Sequence, residues 1–140
     1  MDHVVYLDAK ANELEILLQG KKTMIIRGAA GRKMPYGRVN VGDILYLLEN
    51  DGSGMIKARA RVSLVLNSEK MDKEQSIALV NDYQDRLQLT PAQSKRWAGK
   101  RYLVIIEIGT PERIEPFPVD KSEYGNMDDW LPVGDIDSVK

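Results

Sequence analysis

The chain has 140 residues, with 20 Lys and Arg against 21 Asp and Glu, a formal net charge of -1, one His and no Cys. That length suits one domain able to bury roughly 68% of its unfolded surface, so neither a metal nor a disulfide is needed to fold it. The missing cysteines exclude a thiolate nucleophile and Cys-ligated zinc, and the single histidine, His3, excludes a His-built metal site or a hydrolase triad.

In chain order, His3–Leu7 reads as a short strand and Ala9–Leu18 as a helix with Leu14, Leu17 and Leu18 on one face. Gly20 is the expected helix stop. Thr23–Arg27 reads as a strand, and Gly28–Gly37, with three glycines and Pro35, as a loop. Ile44–Leu48 is a buried strand by pattern, and Asn50–Gly54 signals a hairpin. The return strand, Met55–Leu66, sets Ile56, Ala58, Ala60, Val62 and Leu64 against Lys57, Arg59 and Arg61, a period of two with one core face and one basic face.

Asp72 and Gln75 predict a capping box opening a helix with Ile77, Val80 and Leu87 as its inner stripe. Thr90, Pro91 and Gln93 predict a second, shorter helix ending near Gly99. Tyr102–Ile108 is the most apolar strand, and Arg113–Glu115 reads as an edge strand. The tail from Val119 onward has weak periodicity, but Tyr124, Trp130, Leu131 and Val133 predict that it packs on the body. The division expected is a single domain over 1–140 with 116–140 as an acidic C-terminal extension. Strands clustered in this way, with helices to one side, favour a small mixed barrel or sheet.

Charge is unevenly placed. Gly20–Arg38 holds six basic residues and no acidic one, whereas Glu107–Lys140 holds nine acidic and three basic residues. A strand that carries Lys and Arg into a Gly-rich loop is suited to hold an anion such as a phosphate. Within the segment, Lys21, Lys22 and Arg27 lie in or beside the strand as candidate nucleic-acid-binding residues, and Lys22 and Arg27 are expected to line the pocket floor. Arg32, Lys33, Tyr36 and Arg38 lie in the loop, where the cations would contact phosphate and Tyr36 would stack on a base. The fragment Gly28–Lys33 lacks P-loop spacing. A second basic group, Lys95, Arg96, Lys100 and Arg101, flanks Trp97, which suits either base stacking or core packing. Asp128 and Asp129 beside Trp130 are a weak divalent-cation pair, and no metal or cofactor is expected.

These residues and their order resemble the ASCH family of the PUA-like fold. The family motif G-x-K-x-x-E-x-R is matched by Gly20, Lys22 and Arg27, and a Gly-Asp pair opening the next strand is matched by Gly42 and Asp43. The motif's Glu is Ile25 here. The resemblance, over about residues 3–115, implies an α+β architecture: a small mixed, mostly antiparallel PUA-like β-barrel with two or three flanking helices. It also implies binding of RNA or a modified nucleotide.

An alternative reading is an amidohydrolase or nuclease acting through Lys22, with Glu69 or Glu74 as partner carboxylate. In a regular strand Thr23 would face away from a pocket that Lys22 faces. A third reading is a protein-interaction module using the acidic tail. No run approaches the ~18 apolar residues of a membrane span, and Met1–Val4 lacks a signal-peptide pattern, so a cytoplasmic protein with no membrane contact is expected.

Overall fold

The computed structural model describes residues 1–120 and 129–140. Seven strands are present among them: β1 (Asp2–Leu7), β2 (Met24–Ala29), β3 (Ile44–Glu49), β4 (Met55–Asn67), β5 (Tyr102–Ile108), β6 (Glu112–Pro118) and β7 (Trp130–Gly134). The helices are α1 (Glu13–Leu18), α2 (Lys73–Asp82), α3 (Gln84–Leu87) and α4 (Pro91–Trp97), and a 3-10 turn covers Ile136–Val139.

The strands follow the order β2-β5-β4-β3-β1-β7, with β6 also paired to β4. Only β1 and β3 run parallel among the described pairs. Strand β4 is long because it serves two partners in succession along one edge. Asn67 to Val62 pair with β5, and Arg59 to Met55 pair with β6. Ile25 of β2 and Trp130 of β7, from the two ends of the strand path, share one core cluster with Leu45, Leu47, Val62 and Ile106. The sheet is therefore curled around its inner face, as the mixed, mostly antiparallel reading predicts.

Two further clusters cover the outer face. Met24, Ile26, Leu103 and Ile105 receive α2 to α4 through Val80, Leu87 and Trp97. Val4, Tyr46, Leu48 and Ile56 receive the tail through Leu131, Val133, Ile136 and Val139. Both faces of β1, β2, β3 and β5 are thus buried, which explains their nearly continuous apolar runs, whereas β4 alternates between buried and exposed residues. The expected packing of Trp130, Leu131 and Val133 is observed. Tyr124, together with Asn126 to Asp128 of the distinctive run before Trp130, lies outside the described residues.

Both predicted capping boxes form. Asp72 accepts from the Gln75 N–H at 2.8 Å, and Thr90 accepts from the Gln93 N–H at 3.2 Å. Three local expectations are corrected. The first helix starts at Glu13 and not Ala9, because Asp8 accepts the Ala11 N–H at 3.2 Å and holds a turn, after which Asn12 takes a left-handed φ of 55°. Leu64 leaves the core: a bulge between Val62 and Leu64 shifts the alternation, so Val65 packs inward and Leu64 is exposed. The helix expected through Leu87 breaks at Tyr83, whose φ of -111° separates α2 from α3 and brings the helices among the described residues to four.

Candidate nucleic-acid interface

The two ends of the strand path, β2 and β7, meet through side chains. Arg27 on β2 donates from Nη2 to the Tyr6 carbonyl of β1 at 2.8 Å and from Nη1 to the Ile26 carbonyl at 2.7 Å. Its Nε lies 3.2 Å from Asp129 Oδ2, without the alignment of a hydrogen bond. Asp129 sits just before β7, held by its own carbonyl accepting from the Tyr6 N–H at 2.9 Å. The Arg27 guanidinium carbon lies 5.7 Å from the ring centres of both Trp97 and Trp130. A cation so placed is attracted by both ring faces.

Around Arg27 opens a cleft of about 460 Å³. Its walls are Gly28 to Ala30 at the end of β2, Lys33 and Met34 of the following loop, Arg96, Trp97 and Lys100 around the end of α4, and Asp129 and Trp130. Arg96 lies over Trp97, 4.4 Å from the ring centre. A recess of about 150 Å³ adjoins it, sharing Arg27, Asn50, Arg96, Trp97 and Asp129 and adding Tyr6, Asp8, Glu13, Ala92 and Gln93. Gly28 admits this arrangement through its lack of a side chain, since a Cβ there would lie 2.6 Å from Leu103 Cδ2 and 3.2 Å from Lys100 Cβ.

Lys22 lies behind this surface. It precedes β2, is 2% exposed, and lines neither the cleft nor the recess. Its Nζ lies 3.2 Å from Glu13 Oε2 and donates to the Leu87 carbonyl. Burial pushes its pKa below the ordinary lysine value, and Arg27 adds to that, while Glu13 opposes it. The carboxylate partner of Lys22 is therefore Glu13, which corrects the expectation of Glu69 or Glu74; both are exposed and line neither cavity. Ile25, where the motif has Glu, is fully buried in the barrel core. Thr23 donates instead to Glu107 at 3.3 Å.

The remaining candidates divide. Arg27 and Lys33 enter the cleft. Arg32 lies 5.6 Å from the ring centres of both Tyr36 and Tyr102. The two tyrosines meet edge to face, and the Tyr36 hydroxyl donates to the Ser68 carbonyl. Tyr36 thus ties its loop to the segment after β4. Lys21 and Arg38 are exposed and line neither cavity. Arg96 and Lys100 join the cleft from the second basic group, 60 residues and more along the chain.

Sequence reasoning missed Glu13, Asn50 and the role of Asp129. Glu13 left one trace, an acid one helical turn before Leu17 on the apolar face. Asp128 of the suspected cation pair lies outside the described residues, and Asp129 is engaged by Arg27 and, at 3.9 Å, by Arg96.

No protein-family model and no curated protein sequence matches the chain. Among solved structures, it is similar to ZmASCH of Zymomonas mobilis. A tyrosine-to-phenylalanine variant and a serine-to-alanine variant of that protein each align with a TM-score of 0.69 at 14% identity. The alignments cover 98% of this chain and 93% and 91% of theirs. The ASCH structure from the same organism aligns with a TM-score of 0.64 at 15% identity, covering 91% of this chain and 81% of that one. At such identity the likeness speaks for architecture alone: the chain has the α+β, PUA-like fold of these ASCH structures.

Proposed function

We propose that the cleft binds RNA or a modified nucleotide. The observation that carries this reading is the convergence of Arg27, Lys33, Arg96 and Lys100 with Trp97 and Trp130 around a single cavity. Phosphate oxygens would replace Asp129 against Arg27 and Arg96, and a base would lie against the Trp97 wall. The recess offers Asn50 and Gln93 amides and the Asp8 carboxylate to a base edge or its substituent. The ASCH fold supports the same reading by resemblance.

Lys33 and Lys100 are exposed and make no ion pair among the described residues, so they can be changed without disturbing the core. Titration of short RNA at several salt concentrations should show a salt slope that falls by about 1.4 in the Lys33→Ala/Lys100→Ala variant, at about 0.7 per phosphate contact. An unchanged slope would remove the cleft from the interface.

A second reading, hydrolysis of a nucleoside or RNA, is favoured by one feature, the Glu13–Lys22 pair behind the recess. Glu13, not Lys22, borders the cavity. In this reading Glu13 handles the proton and Lys22 sets its charge. Product formation from RNA or acylated nucleosides, lost in Glu13→Gln with binding retained, would support it. Binding with no turnover would remove it.

A further inference from the structure

The cleft does not end the basic surface. Lys100 borders it, and the next residue, Arg101, borders a separate shallow groove of about 570 Å³ with Lys70, Met71, Asp72, Lys73 and Gly99. Backbone and side-chain contacts fix these pieces together. The Met71 N–H donates to the Arg101 carbonyl at 2.9 Å. The Leu103 N–H donates to Ser68 Oγ at 2.9 Å, and the Gly37 N–H donates to Asn67 Oδ1 at 3.0 Å. With Tyr36 bound to the Ser68 carbonyl, the loop after β2, the segment after β4 and the entry to β5 form one surface.

That surface carries Arg32, Lys33, Lys70, Lys73, Lys100 and Arg101, all exposed. None has an ion pair among the described residues, although Glu69, Asp72 and Glu74 lie close in sequence. Asp72 is engaged by the Gln75 N–H at the start of α2, and the cations are left without an ion pair and open to a mobile anion. Arg32, on the loop after β2, lies 5.6 Å from the ring centres of Tyr36 and Tyr102 and adds an exposed cation beside aromatic rings on which a base can stack.

We infer that Lys70, Lys73 and Arg101 form a second phosphate-binding site, reached from the cleft past Lys100, so that the ligand is a single-stranded ribo-oligonucleotide and not a lone nucleotide. This rests on the cleft reading and extends it. One end of the strand occupies the cleft, and the phosphodiester backbone continues over Lys100 and Arg101 to the groove at the start of α2. Such tracks hold about 4–16 nucleotides.

The test is anisotropy titration of the full chain with labelled oligouridylates of about 3 and about 12 nucleotides, over a range of salt. The variants are Lys70→Gln/Lys73→Gln/Arg101→Gln and, as a control, Lys57→Gln/Arg61→Gln at the other end of β4, with the fold of each checked by thermal melting. The longer oligonucleotide should bind more tightly, and the triple variant should lower its salt slope by about 2 while leaving the shorter one unchanged. The control should keep most of the slope. Equal affinity for both lengths, or an unchanged slope in the triple variant, would overturn the second site and leave the cleft reading standing. Equal losses in variant and control would show a general charge effect and overturn it too. No binding of either oligonucleotide would overturn both readings. Preference for an acidic peptide over the oligonucleotide would overturn the assignment of the groove to RNA.

Discussion

Arg27 and Asp129 face each other across the gap between the two ends of the sheet, with Nε and Oδ2 3.2 Å apart. Among the described residues this is the one ion pair joining the acid-free segment Gly20–Arg38 to the acidic tail. The carboxylate stands where the proposed ligand's phosphate would stand, so Asp129 competes with it. Asp129→Asn should raise affinity for short RNA about two- to fivefold at low salt, since a partly exposed pair is worth on the order of 1 kcal/mol or less. Titration of variant and wild type side by side checks this, and the gain should shrink as salt rises.

The Glu13–Lys22 pair should govern stability as a unit. Lys22→Met leaves a buried carboxylate without its cation and should cost about 3–5 kcal/mol in urea unfolding, whereas Lys22→Met with Glu13→Leu should recover most of that. The pH dependence has a definite sign. The folded pKa of Lys22 is lowered by burial, so the unfolded chain binds more protons above that value. Wild type should therefore gain stability over the double variant as pH rises from the lowered pKa towards about 10.5, the ordinary lysine range.

Gly28 makes a local prediction about the cleft. Its φ is not positive; the demand is for space, with Leu103, Lys100 and the Tyr102 carbonyl packed against the missing side chain. Gly28→Ala should destabilise by about 1–3 kcal/mol through overpacking, and should weaken RNA binding by displacing Lys100. Urea unfolding and RNA titration separate the two effects.

His3 is held between two partners. The Trp130 indole donates to Nδ1 at 3.1 Å, which leaves Nε2 to donate to Asp43 at 2.8 Å. Burial opposes the charge on Asp43, but the Asn40 N–H and the His3 ring hold its carboxyl below the usual range. A depressed carboxylate stabilises the fold above about pH 4, and that stability is lost as pH falls through the folded value. Asp43→Asn should cost on the order of 1–3 kcal/mol at neutral pH, and its unfolding curve should converge on wild type in acid. Tryptophan fluorescence reports the transition.

The barrel was legible because its strands are apolar on both faces or alternate cleanly, and because both capping boxes are local signals. Leu64 was misplaced because a bulge is set by the strand partner, β5, and leaves no mark in the alternation. The site was half legible. Arg27 and Lys33 stand in the acid-free segment, which is visible in sequence. Arg96, Lys100 and Asp129 join them only because α4 and β7 fold onto β2, a long-range fact. Lys22 looked like a pocket lysine by motif, yet the helix carrying Glu13 covers it.

The most direct test of the cleft is the salt dependence of short-RNA binding in wild type and Lys33→Ala/Lys100→Ala. The account predicts affinity that falls steeply with salt in wild type and a slope smaller by about 1.4 in the variant. A flat response, or the same slope in both proteins, would contradict it.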